Sequence, residues 1–227
     1  MTERRIALLV VDAQEDFCPP NGSLAVHNGR AIVPTINTLL SLPFTLKLAT
    51  KDHHPVDHIS FASNHGPDAK PFESYITIVN PGNPAEKYES RLWPDHCVVG
   101  TPGNELIPEL DLAKFDLIVH KGTDPRVEMY SAFQSPLRNP PLPSAVSDVA
   151  NQLKSANISD VVVVGLAGDY CVKSTALDSA EQGWPTYVAE DGVRSVGGDQ
   201  GWNEAKQELE EKGVRIVDLP WVKENFF

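Results

Sequence analysis

A small set of chemically active side chains stands at the ends of separate apolar runs in the sequence. One run is followed by an aspartate, the next by an aspartate and a histidine, a third by a lysine and a fourth, after a glycine-containing turn, by a cysteine. Because ligands of an open parallel sheet bind at the carboxyl ends of its strands, we expect these side chains to meet at one edge. In chain order they are Asp12, Asp52 with His54, Lys121 and Cys171.

Cys171 has the position of a reactive thiol. The turn Gly165–Tyr170 precedes it and a stretch with helical spacing follows, which predicts a helix N-terminus at the cysteine. The helix dipole and the free N–H groups there would lower the pKa of the thiol and favour the thiolate. The same N–H groups would hold an oxyanion. A single cysteine is more often a small buried apolar residue, so the hypothesis depends on the neighbours of Cys171.

Lys121 and Asp12 are the neighbours that a cysteine nucleophile needs. Alone, Lys121 would be interpreted as a solvated charge and Asp12 as a cap or turn residue. A lysine at the end of a buried strand needs a partner, and beside a thiol it would stabilise the thiolate and a developing oxyanion. An aspartate there would accept the thiol proton and later return it to a leaving amine. Together the three side chains predict nucleophilic catalysis by cysteine.

Asp52 and His54 also have the spacing of metal ligands. If the backbone between them is extended, both side chains converge on one cation, and the more distant His96 completes a three-ligand site with open positions. Nitrogen and oxygen ligands suit Zn²⁺, Fe²⁺ or Mn²⁺, with zinc favoured by affinity. The sequence leaves further ligands open, namely His53, His58, Ser60 and His65.

The apolar runs predict the strands of a parallel sheet. Several are β-branched and nearly continuous, as in strands covered on both faces, and stretches with helical spacing separate them. This alternation predicts an α/β fold, a three-layer α/β/α sandwich with a mostly parallel six-stranded sheet, in one domain over residues 1–227. The predicted strands are Ile6–Val11, Phe44–Ala49, Phe115–Val119, Val161–Val164, Thr186–Ala189 and Val214–Val217. The predicted helices are Ala31–Leu40, Ser147–Ala156 (N-cap Ser147), Cys171–Gln182 and Gly201–Lys212, with Gly183 and Gly213 after the last two.

Two segments do not follow this alternation. Residues 64–103 are rich in proline and glycine and lack clear periodicity, which predicts a long loop that is either functional or disordered. Residues 135–144 contain four prolines. They predict a surface connection, with a polyproline ligand as the alternative.

Charge and composition exclude several kinds of partner. The chain of 227 residues has a net charge of −12, which repels phosphate backbones and anionic membranes, so we expect neither nucleic acid nor a membrane as a partner. Three cysteines without regular spacing do not predict a disulfide framework. The run Ile6–Val11 is too short for a signal peptide or a membrane span. We expect a cytoplasmic protein, with the nucleus and the peroxisome as alternatives, and a homo-oligomer is compatible with the sequence.

The whole chain resembles the nicotinamidases, which belong to the isochorismatase-like hydrolases, and within them the fungal type. The resemblance implies an isochorismatase-like fold and the hydrolysis of nicotinamide to nicotinic acid and ammonia in NAD salvage, with pyrazinamide as a second substrate. The segments that carry it, in family order, are Val11–Phe17, Asp52–Phe61, Trp93–Cys97, His120–Gly122 and Val164–Val172.

The resemblance implies a role for each matched residue. The catalytic triad would be Asp12, Lys121 and Cys171, and the ligands of one divalent metal would be Asp52, His54 and His96. The sequence departs from the family at His53, where an aromatic residue is frequent, and this adds a competing ligand. His54 remains the preferred ligand because the match places it directly before Pro55.

The resemblance also implies how the substrate is held. The Leu166–Ala167 peptide bond would be cis, and the backbone N–H groups of Ala167 and Cys171 would form the oxyanion hole. The aromatic residues of the pocket would be Phe17 and Trp93, which flank the pyridine ring, and Tyr130.

Two other functions compete with this hypothesis. One is another small-amide or N-carbamoyl amidohydrolase of the same superfamily, which would have less use for the metal ligands. The other, of a different class, is a metal-stabilised binding protein without catalysis. The presence of all three triad residue types argues against it.

Overall fold

The computed structural model describes residues 4–227, so residues 1–3 of the predicted domain lie outside the described residues. The strands in this part of the chain are β1 (Ile6–Val11), β2 (Leu46–Asp52), β3 (Tyr75–Asn80), β4 (Asn83–Arg91), β5 (Leu117–Lys121), β6 (Asp160–Leu166), β7 (Thr186–Arg194) and β8 (Arg215–Val217). Six of them form one sheet in the order β5-β2-β1-β6-β7-β8, and every pair in it is parallel. This confirms the predicted six-stranded parallel sheet.

Four strands of the sheet (β2, β5, β6 and β7) extend further at their carboxyl ends than predicted, and two of them end at charged residues of the candidate site. β2 continues to Asp52 and β5 to Lys121, beyond the apolar part of each run. These last residues are register partners across the β2–β5 pair. Two candidate site residues therefore lie side by side on adjacent strands, at the carboxyl edge of the sheet, rather than in the loops that follow.

Helices cover both faces of the sheet. They are α1 (Val33–Leu40), α2 (Val149–Ser155), α3 (Lys173–Glu181), α4 (Gly198–Glu211) and α5 (Leu219–Phe226). Buried residues of α1 and α5 pack on one face, with Leu8 and Val10 of β1. Those of α2, α3 and α4 pack on the other, with Ala7 and Leu9. The alternation of β1 side chains between two apolar cores confirms the predicted three-layer sandwich.

All four predicted helices are present, but each begins at a residue other than the predicted one, and there is a fifth helix, α5. α3 begins at Lys173, because residues Gly168–Val172 form a π-helical turn that contains the cysteine. α2 is preceded by Asp148 rather than by Ser147 as its N-cap, although the Ser147 hydroxyl accepts the Val149 N–H at 3.2 Å. α5 has no counterpart among the predicted helices. The side chain of its N-cap, Asp218, accepts the Trp221 N–H at 2.8 Å.

The prediction of an unstructured segment over residues 64–103 was wrong in its middle part. β3 and β4 form an antiparallel hairpin there. β3 does alternate, with Ile78 buried and Val79 exposed, but β4 is charged and half exposed, so it lacks an apolar pattern. A hairpin that lies on the surface of a larger domain needs little apolar area of its own, and its sequence signal is correspondingly weak.

The proline-rich segment 135–144 is a connection that is anchored by its leucines. All four of its prolines are exposed, whereas Leu137 and Leu142 are buried against Ile78 of the hairpin. This agrees with the predicted surface connection. The anchored leucines argue against a free polyproline ligand, because such a ligand needs an accessible extended segment.

Two further expectations concern the chain as a whole. None of the helices in residues 4–227 is long and apolar enough to cross a membrane. Cys18, Cys97 and Cys171 are all free and buried.

We predict that Gly165→Ala destabilises the protein by about 3 kcal/mol or more, because a methyl group there overpacks against backbone. Gly165 has φ 121, and a Cβ atom would lie 2.0 Å from the Val11 carbonyl oxygen on the adjacent strand. Urea denaturation would measure the loss. Gly183→Ala is the control, since φ is 97 but a Cβ would meet nothing within 4 Å, and about 1–2 kcal/mol is expected from the backbone alone. Equal losses would contradict the close approach of β1 and β6.

Candidate active site

Lys121 is the centre of a buried group of reactive side chains. Its Nζ lies 2.8 Å from Asp12 Oδ2 and 2.6 Å from Asp52 Oδ1, and it donates a hydrogen bond to the Met129 carbonyl at 3.1 Å. The Cys171 Sγ is 3.5 Å away. Burial alone would lower the pKa of Lys121, but the two carboxylates outweigh it and hold the pKa well above its usual value. Lys121 is therefore charged, and it joins the ends of β1, β2 and β5 to the π-helical turn.

Asp12 is held firmly at the end of β1. Its backbone has a left-handed φ of 45, and the Thr50 hydroxyl donates to Asp12 Oδ1 at 2.6 Å while accepting the Asp12 N–H at 3.2 Å. An oxygen of Asp12 and the Cys171 Sγ lie within 4.8 Å of each other. Burial raises the pKa of Asp12 to about 6, against the opposing effect of Lys121. A carboxylate with a pKa near neutrality is suited to accept and return a proton.

The thiol of Cys171 differs from the sequence expectation. A helix N-terminus was expected to lower its pKa, but Cys171 is buried within the π-helical turn. Burial raises the pKa well above the usual value, Lys121 lowers it, and the carboxylates of Asp12 and Asp52 raise it further. Burial and the two carboxylates thus outweigh Lys121, and the resting group is the neutral thiol. A base is needed to activate it, and Asp12 is in place.

A small cavity opens beside the thiol. Phe17, Trp93 and Tyr130, which the resemblance assigned to the pocket, all line it. The Trp93 Nε1 donates to the Tyr130 hydroxyl at 3.0 Å, and the Tyr170 ring meets Trp93 edge-on at 4.9 Å. The Leu166–Ala167 peptide bond is cis, and Ala167 also borders the cavity. The lining is thus mostly apolar and aromatic, and it includes the reactive side chains of Cys171, Asp52 and His96.

Sequence reasoning missed three residues of the cavity wall, Leu24, Tyr170 and Val196. Tyr170 could have been found, because it adjoins the cysteine in the same turn. Leu24 and Val196 come from segments without strand or helix signals, and their spacing indicates nothing about where they lie.

Asp52, His54 and His96 bring one ligand atom each to a common point. These atoms lie within 4.8 Å of one another, and all three residues are buried. His54 Nδ1 donates to the Gly122 carbonyl at 2.7 Å, and His96 Nδ1 donates to the Pro94 carbonyl at 2.8 Å. In the neutral rings these bonds place the hydrogen on Nδ1 and leave the lone pair on Nε2, as in metal-binding histidines.

The electrostatics of the same three residues also fit a bound cation. His54 Nε2 takes no hydrogen bond from any residue within 4–227, although Asp52 Oδ2 lies 3.7 Å away. Burial lowers the pKa of His96 to about 4, so its imidazole is neutral, the form that binds metals. For His54, burial lowers the pKa but Asp52 raises it above its usual value, which marks a place where positive charge is stabilised.

The other candidate ligands point elsewhere or are already engaged. His53 Nδ1 lies 3.0 Å from Asn104 Oδ1, and its ring stacks on His120. His65 Nε2 donates to the Ile59 carbonyl at 2.6 Å. His58 also approaches His54 and Glu128. However, both of its nitrogens are occupied, Nε2 by the Val127 carbonyl at 3.2 Å and Nδ1 by the Ser60 hydroxyl at 2.8 Å.

The chain is similar to known proteins over nearly its whole length. Residues 6–220 match the isochorismatase domain family. The nicotinamidase of Acinetobacter baylyi is 39% identical over 211 residues, which cover 93% of this chain and 91% of the relative.

Solved structures give the same picture. The yeast nicotinamidase bound to the inhibitor nicotinaldehyde has a TM-score of 0.86 and 35% identity, and the match covers 94% of this chain and 99% of the other. The pyrazinamidase of Pyrococcus horikoshii in complex with zinc has a TM-score of 0.73 and 32% identity, with coverage of 94% and 99%. A bacterial relative is thus as similar as the yeast protein, so the resemblance is not confined to the fungal type.

We predict that Lys121→Met destabilises the protein by about 3–5 kcal/mol near neutral pH, because it leaves two buried carboxylates without their counter-ion. Burial then raises the folded-state pKa of both carboxylates above the unfolded values, so the variant gains stability relative to the parent as the pH falls. Denaturant unfolding over a pH series would measure this.

Lys173→Met is the matched control for Lys121→Met, since Lys173 makes a partly exposed ion pair with Glu208 at 2.7 Å. We expect it to cost less than about 1 kcal/mol. If the loss in Lys121→Met were independent of pH, the two carboxylates would not be its cause.

Proposed function

The chain belongs to the isochorismatase family, and we propose on this premise that it is a nicotinamidase, which hydrolyses nicotinamide to nicotinic acid and ammonia. The observation that carries the proposal is the buried contact of Lys121 with Cys171 and Asp12 beside an aromatic cavity. The relatives that match nearly the whole chain are nicotinamidases. Removal of nicotinamide in this way is consistent with NAD salvage, and we expect the reaction in the cytoplasm.

Asp12 acts as the base that makes the nucleophile. Its carboxylate takes the proton of the Cys171 thiol as the sulfur forms a bond to the amide carbon. The proton then passes from Asp12 to the amide nitrogen, the carbon–nitrogen bond breaks and ammonia leaves. A thioester remains on Cys171. Asp12 next takes a proton from water, which attacks the thioester, and returns it to the sulfur as nicotinic acid is released.

Lys121 and the turn around Cys171 stabilise the charge that develops. The Lys121 ammonium, 3.5 Å from the sulfur, stabilises the thiolate as its proton leaves. The backbone N–H groups of Ala167 and Cys171 are the proposed donors to the oxyanion. Because all these groups are buried, the fixed dipoles act without competition from water.

The ring of the substrate occupies the aromatic cavity. We propose that Phe17 and Trp93 flank it and that Tyr130 holds the Trp93 ring in place through the 3.0 Å hydrogen bond. Asp52, His54 and His96 would hold one divalent metal, proposed to be zinc, with Fe²⁺ and Mn²⁺ as alternatives. A metal held there would supply a Lewis acid for the ring nitrogen, and its three ligands would fix the place of the ring relative to Cys171. Pyrazinamide has the same carboxamide and a ring of the same size, so we expect it as a second substrate.

The direct test is ammonia release from nicotinamide by the purified, zinc-loaded protein and by Cys171→Ala. We expect the variant to lose at least about a thousandfold in kcat, because the sulfur forms the covalent intermediate. Cys18→Ala is the control, a second buried cysteine outside the site, which should keep parental activity. Inactivity of a folded, zinc-loaded parent would favour another small amide or an N-carbamoyl compound as substrate, and failure of all of these would favour a binding protein.

The raised pKa of Asp12 predicts the pH dependence of the reaction. Since Asp12 must be ionised to accept the thiol proton and burial places its pKa at about 6, kcat/KM should fall about tenfold per pH unit below that value. Initial rates over a pH series would show this limb, with circular dichroism to verify that the protein remains folded. A rate that stays constant well below the pKa of Asp12 would contradict its role as the base.

A further inference from the structure

Two buried side-chain amides, Gln14 and Asn104, connect the segments that carry the candidate metal ligands. Neither borders the cavity beside the thiol, and both are almost completely buried. We propose that this pair, called the amide clamp below, positions Asp52, His54 and His96 for metal binding. The inference rests on the metal site of the proposed function.

Gln14 holds the backbone of Asp52 on both sides. Its Oε1 accepts the Asp52 N–H at 2.7 Å, and its Nε2 donates to the Asp52 carbonyl at 2.9 Å. The same Nε2 donates to the Asn104 carbonyl at 2.8 Å. One side chain, in the segment that follows β1, thus contacts both polar groups of the Asp52 backbone, which fixes the direction in which the Asp52 carboxylate leaves β2.

Asn104 links Asp52 to the segment that carries His96. Its Nδ2 donates to the Asp52 carbonyl at 2.6 Å and to the Cys97 carbonyl at 2.8 Å. The Cys97 carbonyl also accepts the His54 N–H at 3.1 Å. One amide nitrogen thus joins β2 to the loop that carries His96 and sets the distance between them. The Cys97 carbonyl accepts from both Asn104 and His54, so the backbone of His54 is held to the same loop.

The oxygen of the Asn104 side-chain amide contacts His53, the histidine that could compete as a metal ligand. Asn104 Oδ1 lies 3.0 Å from His53 Nδ1, and the His53 ring stacks on His120 at 4.0 Å. The ring of His53 is therefore kept away from the point where the other three side chains converge. The clamp both assembles the three ligands and separates the fourth histidine from them.

The hydrogen-bonding capacity of the two amides explains why these residue types fit. An amide offers two donors and an acceptor on one planar group, and the pair uses these atoms on backbone groups that are buried away from water. Buried backbone groups without partners are rare. Truncating either amide would release the segments from their fixed separation, and outer partners of this kind commonly change metal affinity by about 10- to 100-fold.

The test uses Co²⁺ as a probe metal, since its visible absorption reports ligand number and geometry. The dissociation constant for Co²⁺, from chelator competition, and the absorption spectrum are compared for the parent, Asn104→Ala and Gln14→Met. We expect binding about 10- to 100-fold weaker in both variants, with an altered spectrum. If Asn104→Ala does not fold, Asn104→Ser takes its place, since a serine cannot reach both carbonyls.

Two controls separate a positioning role from general loss of stability. Asn80→Ala removes another fully buried amide, whose Nδ2 donates to Glu86 at 2.5 Å and to the Pro140 carbonyl at 2.9 Å in the β3–β4 hairpin. It should lower stability and leave Co²⁺ binding unchanged. Asp52→Ala removes a proposed ligand and should abolish the parental spectrum.

The outcomes distinguish the clamp from the metal site itself. If both Asn104→Ala and Gln14→Met kept the Co²⁺ affinity and the spectrum of the parent, the amide clamp would be wrong, although the metal site would remain supported. If the parent and Asp52→Ala had the same Co²⁺ dissociation constant and the same absorption spectrum, the proposed metal site would be wrong, and the amide clamp with it. Weaker binding in Asn80→Ala to the same extent would also overturn the clamp, because loss of stability would then explain the effect.

Discussion

The buried ammonium group of Lys121 is the interaction on which the site depends. An isolated charge in the interior is costly, so Lys121 requires Asp12 and Asp52, and these carboxylates in turn require Lys121. The sheet register meets this requirement, because Asp52 and Lys121 are partners at the ends of adjacent strands and Asp12 follows the strand on the other side of β2. The parallel topology therefore brings opposite charges together before any loop contributes.

Asp52 connects this ion cluster to the candidate metal ligands. Its Oδ1 faces Lys121 at 2.6 Å, while its Oδ2 faces His54 Nε2 at 3.7 Å. Burial raises the pKa of Asp52, but Lys121 and His54 lower it far more, so the carboxylate stays ionised. Asp12 and Asp52 together place two carboxylates against the single ammonium of Lys121. The cluster can therefore stabilise a further positive charge on the side of His54. One carboxylate thus contacts both the ion cluster of Lys121 and the candidate metal ligands.

The sequence predicts the site residues whose positions depend on where the strands end. Asp12, Asp52, Lys121 and Cys171 were placed together because apolar runs and parallel topology determine where strands end. The sequence could not decide between His54 and His58, since that choice depends on which ring nitrogens are occupied by Gly122, Ser60 and Val127. The β3–β4 hairpin and the contacts of Gln14 with Asn104 were also inaccessible, because half-exposed strands and buried amides leave no periodic pattern.

The pKa of the Cys171 thiol is raised rather than lowered as predicted, and the reason bears on mechanism. A helix N-terminus supplies a partial charge, whereas complete burial next to two carboxylates penalises a thiolate directly. The cysteine is therefore neutral at rest, and in the proposed mechanism Asp12 takes its proton. Since oxidation of cysteine follows its thiolate character and exposure, a buried neutral thiol is protected at rest. In the proposed reaction, a carbonyl group must be placed against this neutral thiol, so we expect the groups that position the substrate to contribute to the rate beside the nucleophile.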